Sequence, residues 1–135
     1  MPEGNQATAT TPAEFSEVFH SDCPARGVLD HITSRWGIWV LLALNEGDKR
    51  FFELRDSIEG VSEKMLSQTL RDLAGDGLVW REVEPTVPPK VTYGLNEVGR
   101  GVSVRLVDMF RWIGANAENL CAEQAERTGS GPATR

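Results

Sequence analysis

The sequence has no apolar run long enough to cross a bilayer. Its longest, WGIWVLLAL (Trp36–Leu44), is less than half of the roughly 20 residues a membrane helix requires. The opening MPEGNQATATTPAEF has neither a charged n-region nor an apolar h-region. A secretory signal is therefore not expected, a cytoplasmic location is, and the membrane is not an expected partner. Cysteine is scarce. Cys23 and Cys121 are the only two, too few for a disulfide framework, and in a reducing compartment they are expected as thiols. Histidine is as scarce, with His20 and His31. His20 and Cys23 have a metal-like spacing, but no second Cys/His pair follows at zinc spacing, so no metal is expected.

Catalytic signatures are missing too. There is no G-x-S-x-G, no Walker A loop and no dinucleotide glycine fingerprint. The GRG of Gly99–Gly101 lacks a third glycine, and carboxylates such as Asp108 and Glu118 show no pairing. Neither an enzyme nor a cofactor is expected. Positive charge is in short supply: the net charge is −6, which at first sight argues against a nucleic-acid partner. Its distribution softens the objection. Residues 1–34 hold five acids and one base, whereas residues 35–111 hold twelve acids and eleven bases. A basic face can exist in the middle of the chain if those bases segregate in space.

What is present suits one domain with one core. Residues 1–20 are rich in Ala, Thr and Pro and read as a weakly ordered arm, with at most a turn of helix at AEFSEVF. Residues 21–126 read as the folded domain, and 127–135 as a disordered tail. Cys23 stands at a helix N-cap with Pro24 at the first helical position, and Val28, Leu29 and Ile32 follow at helical spacing. Trp36, Trp39, Val40, Leu42, Ala43 and Leu44 are apolar almost all round, which predicts the buried central helix.

FFELRDSIEG then predicts a short helix, preceded by Lys49 and Arg50 at its start. Gly60 and Val61 make a tight connection, and Ser62 is a suitable N-cap. In the helix it opens, Met65, Leu66, Thr69, Leu70, Leu73 and Ala74 are expected inside. Glu63, Lys64, Ser67, Gln68, Arg71 and Asp72 are expected outside. Gly75 or Gly77 can stop it with a left-handed residue. Two alternating segments follow, LVWREVE and KVTYGL, separated by the proline-stiffened loop PTVPP. A last helix, capped by Asn96, is expected from about Glu97 to Glu126.

Helix, short helix, glycine turn, helix and a two-stranded wing make a winged helix-turn-helix, a mainly α fold with a small β-hairpin (α+β). Groove sizes give the arrangement its logic. A major groove admits a helix, while a hairpin can reach the adjacent minor groove. The helix from Ser62 would enter N-terminal end first, with Ser62 backbone N–H groups toward a phosphate. Lys64, Ser67, Gln68 and Arg71 would meet bases or phosphates, and Lys49, Arg50 and Lys90 would hold the backbone. Each of these can equally be a solvated surface side chain. Glu63 is an awkward neighbour for DNA unless it accepts from a cytosine amino group or pairs with a nearby basic residue.

At this point the residues resemble a family. CPARGVLDHI, RWGIWVLLAL, SEKMLSQTLRDL, DGLV and VPPKVTYGL are similar to segments of the HxlR-type winged-helix transcriptional regulators, over residues 23–114. The resemblance implies homodimers on pseudo-palindromic operators, with Ser62–Ala74 in the major groove and Leu78–Leu95 as the wing. It implies a dimer interface built from the first and last helices, making the C-terminal helix a dimerisation helix. It also implies electrophile or oxidant sensing at Cys23, with Cys121 as a candidate resolving thiol; the arm before Cys23 and the late position of Cys121 depart from the family pattern. Independently of the family, a last helix with apolar residues on more than one face needs two surfaces to cover it, and a twofold copy is the simplest second one. Such a dimer would set two reading helices about 34 Å apart, one duplex turn. Three readings stand side by side. The chain can be a repressor released by thiol oxidation, a regulator of the same fold released by a small-molecule effector, or a protein–protein adaptor with no DNA affinity.

Overall fold

The computed structural model describes residues 19, 20 and 22–129. Most of the N-terminal arm and residues 130–135 lie outside them. Helix α1 (Pro24–Ile32) begins at Cys23 as its N-cap, and α2 (Gly37–Asn45) follows. Strand β1 (Lys49–Arg50) leads into α3 (Phe51–Ser57) and then α4 (Glu63–Gly75). Strands β2 (Val79–Glu84) and β3 (Lys90–Leu95) form the hairpin. Helices α5 (Glu97–Ala115) and α6 (Ala117–Gly129) complete the fold. The architecture is a winged helix-turn-helix.

The core forms where the apolar stripes converge. Val40, Leu41 and Leu44 of α2, Leu54 of α3, and Leu66, Leu70 and Leu73 of α4 are buried with Leu78 and with Val79, Tyr93 and Leu95 of the sheet. Helix α2 is the central element, as its composition predicts, but it is not covered all round: Trp39 is exposed, its ring meeting Phe110 of α5 edge-on at 6.0 Å. Thr69 is buried as expected. Met65 is not; it is 45% exposed. It falls on the edge of the helical stripe, where one extra turn angle carries a side chain into solvent.

Three expectations about element limits are corrected. Lys49 and Arg50 lead into α3 as expected, Arg50 standing at its N-cap, but they also belong to the sheet. They form a third strand beside the wing, Lys49 opposite Tyr93 and Arg50 opposite Thr92, so the sheet has the order β1-β3-β2 rather than two strands. Glu53 accepts from the Arg50 backbone N–H at 2.8 Å, which satisfies a donor at the α3 start. The last helix is two helices broken at Asn116, whose side-chain N–H donates to the Trp112 carbonyl at 2.8 Å. Helicity then continues to Gly129, beyond the expected start of the tail at residue 127. Asn96 stands at the α5 N-cap, but its side chain does not cap; it donates to the Gly77 carbonyl at 3.1 Å and ties the wing's end to the turn after α4. Gly77, at φ +83°, takes the left-handed conformation that stops α4.

The C-terminal end of α4 is joined to the first helix. His31 Nδ1 of α1 lies 2.7 Å from Asp76 Oδ2 at the α4 C-cap. The hydrogen bond to Asp76 raises the His31 pKa above its ordinary 6.5, opposed by desolvation and helped by the charges of Asp76, Asp72 and Asp30. A histidine whose folded pKa is raised contributes stability fully below its unfolded pKa and loses it as pH rises through the folded value. The parent should therefore exceed His31→Gln in unfolding free energy at pH 6. The gap should close as pH rises past 6.5 through the raised value. Urea titrations of both proteins across that range check it, and a gap independent of pH would remove the ion pair from the fold's stability.

Candidate nucleic-acid interface

Helix α4 is built to present one end and one face. Ser62 has extended backbone angles, and its Oγ accepts from the Met65 N–H at 3.1 Å, which starts the helix cleanly. Leu66, Thr69, Leu70 and Leu73 anchor the inner face. Lys64, Gln68 and Arg71, at i, i+4 and i+7, form an exposed stripe on the outer one. Ser67 is half-buried beside it. The stripe is not a row of independent side chains. Arg71 Nη2 donates to Gln68 Oε1 at 3.1 Å, and Gln68 Nε2 donates to Asp72 Oδ1 at 3.0 Å.

Glu63, the awkward acid at the helix start, is neutralised from the neighbouring helix. Arg55 Nη1 donates to Glu63 Oε2 at 2.6 Å. Arg55 also donates through Nε to Asp56 Oδ1 at 3.2 Å and sits 4.7 Å from the Phe52 ring centre. These bonds, Glu63 first and Asp56 second, raise its pKa and keep it charged. The first two helices of the motif are thus pinned together at the α4 N-terminus. Nothing beside Arg55 in the sequence marks its partner, which lies eight residues further on, across the turn.

The remaining expected contacts lie on β1 and β3. Arg50 is exposed at the β1 end. Lys49 is only 19% exposed, and its Nζ lies 3.3 Å from Glu46 Oε1, so its charge already has a partner. Lys90 is exposed at the base of the wing loop, across the ladder from Glu84. Arg81, exposed on β2, is a wing base that sequence reasoning passed over. Cys23 is half-buried at the α1 N-cap and Cys121 is exposed in α6; both are free thiols.

A groove of about 750 Å³ lies behind the reading unit, between α2, the end of α3 and α5. Trp36, Trp39, Ile58 and Phe110 line it, with Arg35 and Glu59 among its polar groups.

Residues 31–120 match the model of the HxlR-like helix-turn-helix family. The chain is 42% identical over 123 residues to the HTH-type transcriptional regulator YtfH of Escherichia coli (strain K12), covering 91% of this chain and 98% of that protein. Its structure resembles that of the transcriptional regulator YtfH from Salmonella typhimurium, with a TM-score of 0.73 and 44% identity over 78% of this chain and 95% of that one. It also resembles the redox regulator HypR in its reduced form, with a TM-score of 0.67 and 36% identity over 74% and 99% of the two chains.

Proposed function

The chain belongs to the HxlR-like helix-turn-helix family of transcriptional regulators, and from that premise we propose that it is a homodimeric repressor reading a pseudo-palindromic operator. The observation that carries the proposal is the exposed Lys64–Gln68–Arg71 stripe on a helix whose N-terminal acid is neutralised by Arg55. That pairing supplies what a chain of net charge −6 otherwise lacks, a local surface where cations outnumber free anions. Residues 21–126 form the functional unit in this reading. Gln68 and Arg71 read bases, while Ser62, Lys64, Ser67, Arg50 and Lys90 hold phosphates, with Lys49 a weaker contributor because Glu46 engages it.

Selection of binding sites from randomised duplexes tests the proposal. Gln68→Ala and Arg71→Ala should each weaken the selected operator by about 1–3 kcal/mol. Lys64→Ala should weaken all duplexes alike and lower the salt slope by about one. Variants that bind as the parent does would refute this docking of α4. A chain that binds no duplex at moderate salt would instead be an adaptor.

Control of binding is proposed at Cys23. A thiol at a helix N-terminus is a common site of redox chemistry, and HypR, a redox regulator, shares the fold. An oxidant such as diamide takes two electrons and two protons from the Cys23 and Cys121 thiols, and a disulfide bond forms between their sulfurs across the two subunits. Cys23→Ser should then keep parental operator affinity and lose release by diamide, read in a gel-shift titration. The aromatic-lined groove favours a second reading, release by a small apolar effector. Such release would survive Cys23→Ser and fail when Ala43→Trp fills the groove.

A further inference from the structure

Beside the exposed stripe of α4 stands a half-buried acid, Asp72, that phosphate binding gives no use for. Its oxygen is nonetheless bound to the side chain that would read a base. Gln68 Nε2 donates to Asp72 Oδ1 at 3.0 Å, while Gln68 Oε1 accepts from Arg71 Nη2 at 3.1 Å. Resting on the DNA-binding reading above, we propose that Asp72 is a positioning residue that fixes the Gln68 amide and thereby makes its base preference adenine.

The chemistry follows from the donor and acceptor inventory of an amide. Gln68 has two N–H donors and two acceptor lone pairs. Asp72 takes one donor and Arg71 takes one lone pair. One N–H and one lone pair remain, and adenine presents their complement, an acceptor at N7 beside a donor at N6. The bonds also exclude the flipped amide. Turning it would set Gln68 Oε1 against the Asp72 carboxylate and its N–H groups against the Arg71 guanidinium, like against like at both ends. Asp72 and Arg71 sit four and three residues from Gln68, the two helical spacings at which side chains meet. Asp72 is half-buried, whereas Gln68 is exposed, so the acid is the fixed member and the amide the one held. Freed of Asp72, the amide keeps only the Arg71 bond, and when that exposed guanidinium turns to the DNA the amide can rotate and offer its N–H donors to guanine N7 and O6. The second base admitted should therefore be guanine.

Site selection with the full-length parent, Gln68→Ala, Asp72→Ala and Asp72→Asn tests the assignment. The parent should prefer adenine to guanine by about tenfold or more at one position in each half-site. Gln68→Ala should abolish that preference and so locate the position. Asp72→Ala should reduce it to less than about threefold and leave every other position as in the parent, an effect a purely structural residue would not produce. Asp72→Asn removes the charge but keeps an oxygen that accepts from Gln68, and should restore the preference. Asp72→Ser, too short to reach the amide, replaces the alanine variant if that one does not fold. A parental adenine preference in Asp72→Ala, equal relaxation in Asp72→Asn, or no change in Gln68→Ala would each overturn the assignment. A parent that selects no sequence would remove the DNA-binding reading itself, and this inference with it.

Discussion

Gly99→Ala should destabilise the domain by about 3 kcal/mol, the upper part of the range for overpacking a close contact, while Gly101→Ala, two residues along the same helix, should cost nothing. A Cβ on Gly99 would overlap the Leu78 carbonyl oxygen and stand 2.9 Å from its carbon. That carbonyl cannot retreat, because it accepts from the Asn96 N–H at 2.9 Å at the junction of the wing and α5. One turn later Ser103 is fully buried, its Oγ donating to the Leu41 carbonyl of the central helix at 3.2 Å. Gly99 and Ser103 are therefore the small residues that let α5 lie directly on the core. A Cβ on Gly101 would meet only the far end of Arg105, at 3.7 Å. Alanine there gains helix propensity of up to about 1 kcal/mol. Thermal melts should show Gly99→Ala falling by roughly 10 °C or more and Gly101→Ala level with the parent or above it. Equal melting of the two variants would mean that α5 is not seated through Gly99.

Local chemistry was readable in the sequence wherever it acts within a turn or two. The Ser62 cap, the Cys23–Pro24 start of α1, the Gly77 stop and the proline-stiffened wing loop each depend on a residue type at one position. The buried stripe of α4 depends on spacing and the burial of α2 on its almost unbroken apolar composition, and the winged helix-turn-helix followed from the order of the elements. The errors have physical reasons of another kind. Lys49 and Arg50 form a strand of two residues, too short to show alternation, and its partner is Thr92–Tyr93. The break at Asn116 is hidden because apolar residues keep their helical spacing through Ile113, Ala117 and Leu120. His31 meets Asp76 across 45 positions, and nothing near either residue announces the other. At the candidate interface the stripe was legible as a face, but its internal bonds were not. Asp72 reads in the sequence as one more solvated acid, because only the side-chain rotamers bring its Oδ1 within 3.0 Å of Gln68 Nε2.

The second large effect concerns what covers the other side of α5. Its inner side is committed to the core through Gly99 and Ser103, yet Trp112 and Ile113 near its C-terminal end are 65% and 49% exposed. Val104, Met109 and Phe110 of α5 and Leu120 of α6 are exposed as well. Exposed large apolar side chains gathered on one pair of helices mark an interface, and in the proposed dimer the twofold copy of the same helices closes over them. Joining two reading helices converts the second half-site contact into an intramolecular event, a gain of about 10²–10⁴ in affinity with no new contact to DNA. Trp112→Glu combined with Ile113→Glu should therefore yield a folded monomer by light scattering and lose operator affinity by about that factor. Because added carboxylates also repel phosphate, Trp112→Ser with Ile113→Ser serves as the uncharged control and should show most of the same loss. A variant that stays dimeric would move the interface elsewhere. A monomer that keeps parental affinity would mean that one reading helix suffices and that the twin-helix docking is wrong.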